Sequence, residues 1–555
     1  MLKFIGSRIL SKTLAYNKTH NVLLKMCWSF CLIFLFVGCS QNTAPLKKQH
    51  LCLNLGQEPV SLDPRLARNV KDLTLIRHLF EGLYREDASG NPQPAIAQYV
   101  EISNDLLTYT FTLKKTNWSD GTPLTAHDFF YAWKKVLDPQ FASDYSQILF
   151  PIKNAKRARL DKGSIEEVGI TVLDDYTLQV ILESPTPYFL NLISFPTYFP
   201  INKAFEEKSP NWLNPSGKID ATSFICNGPF QIVNFYPGNH IHFIRNPNYW
   251  DREAVHLDSI EFTLITDHVT ENYLYEKGKL DWLGQPISHP ISTEAMEKYQ
   301  KEGILQSFPV AGTFWINFNT QCFPFNHLKL RKAFSYAISR KDLIDHVLQG
   351  GQQVALSLIP PTMQLSDHPY FIDENITYAQ VLFKEALKEL GLTRDVLPPI
   401  IFTFGISPRN KKIAELLQRQ WEEGLGVTII LEGCEYGYYR EKVRLGKFQI
   451  GNGEWIGDFN DPITFLELFK TKDPALNPSG WEDEDYIHLL DLSNTTIDQE
   501  ERKRLLKEAE EILMKGMPIS PLYYYSFDYV KPAHVQDVIL LPTGIPDYKR
   551  AKIQY

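Results

Sequence analysis

The chain has 555 residues, 44% hydrophobic and 22% charged, which is a globular composition with room for roughly three to four domains. Its net charge of −8 hides an asymmetry: residues 1–38 carry Lys3, Arg8, Lys12, Lys18 and Lys25 and no acidic residue, so the remainder holds 52 basic against 65 acidic residues and a net charge of −13. A body this acidic excludes nucleic acid as a partner, because neutralising phosphate needs clustered Lys and Arg.

The N-terminus reads as an address. Residues 27–38 form an apolar run of twelve residues behind Lys25. That is too short to span a bilayer, which takes about 20 residues, and it is the pattern of a secretory signal. The run ends in Phe36-Val37-Gly38-Cys39, which resembles a bacterial lipoprotein box, with Phe36 where Leu is usual. In that box the Cys is lipidated and becomes the first mature residue. The expectation is a signal peptide over 1–38, lipidation at Cys39, and a polar tether over 39–51; an ordinary cleaved signal with a chance cysteine is the alternative. Beyond Cys39 the four cysteines, Cys52, Cys226, Cys322 and Cys434, are far apart and form no CxxC pair. Metal-site spacing is therefore absent, and both disulfides and buried free thiols remain open.

Along the body, Leu107, Tyr109, Phe111 and Leu113 alternate with threonines, as a half-buried strand requires. Leu178, Val180 and Leu182 repeat that spacing, as do Ile260, Phe262 and Leu264. Helical spacing appears later. One stripe runs through Leu382, Phe383, Ala386, Leu387 and Leu390 to Gly391 as C-cap, one through Ile413, Leu416, Leu417 and Trp421, and one through Leu505, Leu506, Ala509, Ile512 and Leu513. Strands dominate the first half and alternate with helices in the second, so the expected class is α/β in two lobes of different construction.

Reaction chemistry is not visible. The chain has no GxxxxGK[ST] loop, no GxSxG elbow and no HExxH helix. His240 and His242 share a strand face, but two ligands do not make a metal site. The acidic run 482–485 is read as solvated surface. No metal, no cofactor and no enzymatic activity are expected.

An ordered series of segments carries a resemblance. The series comprises Glu58-Pro59-Val60-Ser61-Leu62-Asp63-Pro64, Phe80-Glu81-Gly82-Leu83-Tyr84, the stretch 118–133 (WSDGTPLTAHDFFYAW), Asn227-Gly228-Pro229-Phe230, Arg245-Asn246-Pro247-Asn248-Tyr249-Trp250, Leu330-Arg331-Lys332-Ala333 and Asp458-Phe459-Asn460-Asp461-Pro462. From about residue 52 onward the chain resembles extracytoplasmic solute-binding proteins of family 5, the peptide- and oligopeptide-binding lipoproteins of ABC transporters. Much of the series makes sense as scaffold. Asp120-Gly121-Thr122-Pro123 is a turn, and Thr125 caps a helix with Asp128 at N3.

The resemblance implies a two-lobed periplasmic-binding-protein clamp with an inserted small domain. Lobe I would be built from 52–70, 198–311 and 528–555, the insert from 71–197 and lobe II from 312–527. Ligand would sit between the lobes, held as extended backbone. By the same resemblance Asp458 binds the peptide α-ammonium, Glu58 lies at the opposing edge, Tyr436 and Trp455 are aromatic pocket positions, and Trp315 and Asn317 are further candidates. Asn452 and Asn410 stand where well-known oligopeptide binders carry Arg and His, and Arg440 and Arg444 are nearby substitutes for meeting a carboxylate. The implied function is capture of oligopeptides outside the cytoplasmic membrane and delivery to ABC permease subunits, by a monomer anchored to the membrane through its lipid. The same fold binding a murein peptide, a metal chelate or haem is one alternative, and an exported hydrolase is another.

Overall fold

The computed structural model describes residues 49–554 except 144, 210–216, 219–223, 364 and 367. The expected signal peptide, Cys39 and the tether up to residue 48 lie outside the described residues.

Three main sheets organise the chain. The first sets His50–Asn54 parallel to Ser259–Thr263 and continues antiparallel through His240–Arg245, Phe230–Tyr236 and Gly217–Lys218. Ile260 and Phe262 point into its core as their alternation predicts. Helix α1 (Val70–Leu79) lies close by. Asn69 caps it by accepting the Asp72 N–H at 2.9 Å.

The second sheet is antiparallel, in the order Ala97–Ile102, Thr108–Leu113, Thr177–Ile181, Ile170–Asp174. Tyr109, Phe111, Leu113, Leu178 and Val180 are buried. The helix Ala126–Leu137 packs nearby with Phe129, Ala132, Trp133 and Val136 inward. It starts where the spacing predicts, with the Asp128 carboxylate accepting the Thr125 N–H at 2.8 Å. Trp118 and Trp133 are fully buried, so the most specific part of the resemblance is packing.

The third sheet centres on β1 (Gln306–Phe318). After it come α2 (Pro408–Leu425), α3 (Tyr436–Arg444), β2 (Ile450–Ile456) and β3 (Ile519–Val530). Strand β1 runs antiparallel between β2 and β3, and β2 continues parallel to Ile400–Gly405, which pairs with Ile429–Cys434. The expected boundaries at 311/312 and 527/528 fall inside β1 and β3, with a register irregularity between Pro309 and Thr313. The helical stripes form Ile376–Glu389, α2 and Gln499–Gly516.

A buried ion cluster ties α1 to the C-terminal region. Asp547 accepts from Arg85 at 2.7 Å and from Arg77 at 3.1 Å. Burial opposes the charge on Asp547, but Arg85 and Arg77 outweigh it and hold the carboxyl below the usual range. All four described cysteines are free thiols, and Cys226 and Cys434 are buried. Among the described residues no cluster of three metal-ligating side chains occurs, and no helix is long and apolar enough to cross a membrane.

Candidate ligand-binding site

Strand β2 and the loop after it build the site. Residues Gly453 to Asp458 leave the middle of the third sheet beside β1, with Trp315 opposite Gly453 and Thr313 opposite Trp455. Gly453 is required by close approach: a Cβ there would lie 2.4 Å from Trp315 Nε1 and 2.6 Å from Asn317 Nδ2. The Trp315 indole donates to Asn317 Oδ1 at 2.9 Å, and Asn317 Nδ2 donates to the Asn452 carbonyl at 3.3 Å.

Two cavities meet at Glu454 and Trp455. One, of about 590 Å³, is lined by Asp458, Tyr145, Lys71, His289, Arg409 and Tyr525, among others. The other, of about 530 Å³, is lined by Trp315, Asn317, Tyr436, Arg440 and Asn452. Both fall in the size range of small-molecule sites. A larger depression of about 870 Å³ beside Gln49, Arg245 and Lys552 contains none of the candidate residues.

Asp458 reaches the first cavity from a firmly held loop. Arg502 grips Asp461 with two bonds of 2.7 and 2.8 Å, Phe459 stacks on Tyr188 at 5.6 Å, and Asn460 Nδ2 donates to the Ser89 carbonyl at 3.0 Å. The Asp458 carboxyl accepts only a long bond from Tyr145 Oη, 3.4 Å, and has no cationic partner among the described residues. Burial pushes it up to about 7, and the Tyr145 bond offsets this slightly. The group is a half-buried anion short of a counter-charge.

The neighbouring charges are differently arranged. Arg409, at the start of α2, contacts Glu454 Oε2 at 3.2 Å and lies over the rings of Phe314 and Tyr525. Tyr525 Oη also donates to Glu454. The Arg409–Glu454 pair is therefore neutral overall. Trp455 Nε1 is buried and has no acceptor among the described residues.

The structure brings five of the six candidates together: Asp458 and Trp455 line the first cavity, and Trp315, Asn317, Tyr436 and Trp455 line the second. Glu58 lies elsewhere; it is exposed, its carboxylate accepts the Gly238 N–H, and its neighbour Gln57 lines the first cavity instead. Asn410 is taken up by its helix start, donating to the Gly405 carbonyl at 2.9 Å. Arg440 and Arg444 both line the second cavity, and Arg444 is paired there with Glu441 at 2.7 Å. Sequence reasoning passed over Tyr145, Lys71 and Arg409. The only signal for Arg409 was its place beside Asn410.

The profile described as bacterial extracellular solute-binding proteins, family 5, matches residues 91–477. The chain is 38% identical to the oligopeptide-binding protein OppA of Bacillus subtilis over 509 residues, covering 91% of this chain and 92% of that protein. Among solved structures, the murein tripeptide binding protein MppA of Escherichia coli superposes with a TM-score of 0.76 at 28% identity, over 91% of this chain and 99% of that one. Listeria monocytogenes OppA bound to peptide gives a TM-score of 0.73 at 28% identity, over 92% and 100%. With its two-lobed α/β architecture, the chain belongs to family 5 of the bacterial extracellular solute-binding proteins.

Proposed function

We propose that this protein captures peptides outside the cytoplasmic membrane and delivers them to the permease subunits of an ABC importer. The observation that carries this reading is Asp458, an underneutralised carboxyl on the wall of a 590 Å³ cavity, which suits a ligand α-ammonium. The aromatic second cavity across Trp455 gives a side chain somewhere to go without dictating its identity. The relatives support the reading, since several are described as oligopeptide- or dipeptide-binding proteins.

In this reading lobe I comprises 52–70, 198–311 and 528–555, the insert 71–197 and lobe II 312–527, and the clamp closes where β1 and β3 cross between the lobes. Asp458 meets the ammonium, while Trp455, Trp315, Asn317 and Tyr436 shape the side-chain space. Glu58 contributes at the rim at most, given its exposure. Cys39 carries the lipid that holds the protein at the membrane surface. A family of solute carriers calls for no reaction, and none is assigned.

A murein peptide is the second reading, favoured by the 30% identity to the murein peptide-binding protein MppA of Escherichia coli over 87% of this chain. Mass spectrometry of ligand retained through native purification tests both. Recovered ordinary peptides support the first reading and muropeptides the second. A metal complex, or cleavage of added peptide over time, would overturn both.

A further inference from the structure

The first cavity has a second charged wall. Lys71, the second residue of α1, lines it together with Arg68, Asn69 and Val70. Lys71 is half-buried and makes no hydrogen bond or ion pair among the described residues. Its ammonium is also confined from behind: the position a Cβ on Gly56 would take lies 3.0 Å from Lys71 Nζ and 2.9 Å from His289 Cε1. The acidic group acting on it is Glu271, which is buried and accepts from His289 Nδ1 at 2.8 Å through Oε2, while its Oε1 has no partner among the described residues and makes no bond to Lys71.

Besides Asp458 and Lys71, the charged and ionisable side chains lining this cavity are engaged: Arg409 and Glu454 satisfy one another, His289 is bonded to Glu271, and Arg68 is not free. Asp458 lacks a cation, and Lys71 lacks a hydrogen-bonded anion. A ligand that completes both must be a zwitterion with its charges at separate ends. The first cavity alone, 590 Å³ at ~30 Å³ per water-sized group, corresponds to roughly twenty non-hydrogen atoms, or about two to three peptide residues, with further side-chain room in the second cavity.

Resting on the peptide reading above, we propose that Lys71 binds the free C-terminal carboxylate of a ligand whose ammonium meets Asp458 in the same cavity, so that this cavity selects short peptides with both termini free. Lys71 supplies what Asn452 and Asn410 do not. Asn452 Oδ1 accepts the Gly405 N–H at 3.3 Å, and Asn410 is held at its helix start. Burial makes the unliganded ammonium easier to deprotonate than an ordinary lysine, with Glu271 opposing, and an incoming carboxylate reverses that cost. Longer peptides are not accommodated in this way, because their carboxylate would pass beyond Lys71.

The test is calorimetry with trialanine and trialanine C-terminal amide on wild type and on Lys71→Met, which keeps the aliphatic stem. The wild type should bind the acid at least tenfold tighter than the amide. Lys71→Met should lose at least tenfold on the acid and less than twofold on the amide, and Lys71→Arg should recover most of the acid binding. Equal loss on both ligands, or a wild type indifferent to amidation, overturns the role of Lys71. The wild-type comparison stands even if Lys71→Met fails to fold. The outcomes separate the two claims: trialanine that binds without acid–amide discrimination overturns only the Lys71 role, whereas no binding of either ligand overturns the peptide reading and this inference with it.

Discussion

Ionised Asp458 is costly in the empty cavity and useful only when a cation arrives, which makes binding depend on protons in a direction that can be worked out. Burial sets the empty site near pH 7. A bound ammonium favours the charged form, so the liganded carboxyl titrates lower and binding near neutrality releases a proton. At pH 5, two units below that value, only ~1% of empty sites are ionised, and affinity falls by up to ~100-fold, about 2.7 kcal/mol. At the alkaline end the ligand's own amino group loses its proton near pH 8, so affinity should peak between about 7 and 8. Other polar side chains also line the cavity, so the effect must be isolated at Asp458 itself.

Asp458→Asn does this. It should bind a free-amino peptide roughly 2–5 kcal/mol more weakly at pH 7.5, the usual cost of truncating a desolvated charge pair. It should also lose most of the slope between pH 5 and 7. The stability sign is opposite: a carboxyl whose folded pKa is raised above the unfolded value favours folding at low pH and costs stability as pH rises through about 7. The unliganded Asn variant should therefore unfold at higher denaturant than wild type above pH 7. Calorimetry in buffers of different ionisation enthalpy reads the proton directly. Wild-type affinity flat from pH 5 to 7.5, or an Asn variant with the wild-type slope, would refute the assignment.

Three other perturbations test the scaffold and the anchor. Asp547→Ala leaves Arg77 and Arg85 buried without their shared anion and should cost about 3–5 kcal/mol in denaturant unfolding, whereas a loss below about 1 kcal/mol would show the cluster to be dispensable; in the wild type this contribution is present above about pH 4 and fades as pH falls toward the depressed folded value. Gly453→Ala drives a methyl into Trp315 and Asn317 and should cost about 1–3 kcal/mol of stability while weakening peptides that fill the second cavity; unchanged affinity with unchanged melting would mean the two side chains yield freely. Cys39→Ser should move the protein from the detergent phase to the aqueous phase, since each buried acyl methylene contributes about 0.8 kcal/mol, and a wild type that partitions as soluble protein removes the anchor.

The parts of the fold legible in the sequence were those governed by local period. Tyr109, Phe111 and Leu113 alternate because one face of their strand is buried, and the Ile413–Trp421 stripe recurs at helical spacing because one face of α2 meets the core. The site was legible only through resemblance, and then unevenly. Asp458, Trp455, Trp315 and Asn317 lie in or just outside β1 and β2, so they arrive together once those strands pair, and Tyr436 joins them from the start of α3. Glu58 sits on a different segment, whose backbone carries it to the surface beside Gly238. Lys71 reads in sequence as an ordinary solvated charge at a helix start, and Tyr145 as one aromatic among 27 tyrosines. Lys71 matters because its ammonium lacks a partner among the described residues, and Tyr145 because it faces the Asp458 carboxyl; both follow from packing between segments hundreds of residues apart, which no local period encodes.

The same packing explains how a site for variable ligands holds one fixed charge in place. The loop carrying Asp458 is gripped mainly from outside its own sheet: Tyr188 stacks on Phe459, Ser89 takes the Asn460 amide, and Tyr145 faces the carboxyl, all three from within 71–197. Arg502, which clamps Asp461, also lies over the Tyr188 ring at 5.3 Å, so one cation joins the loop to that aromatic stack. If these contacts form on closure, the insert senses the loop rather than the ligand side chains, and every peptide with a free amino terminus obtains the same closing energy. Tyr188→Ala should then weaken all such peptides by a common factor, about 0.5–1.5 kcal/mol for the lost ring pair, whatever their sequence, and should reduce the compaction seen by X-ray scattering when ligand is added. A loss that varied with the peptide's side chains, or compaction equal to wild type, would place the closing energy in the side-chain pockets instead.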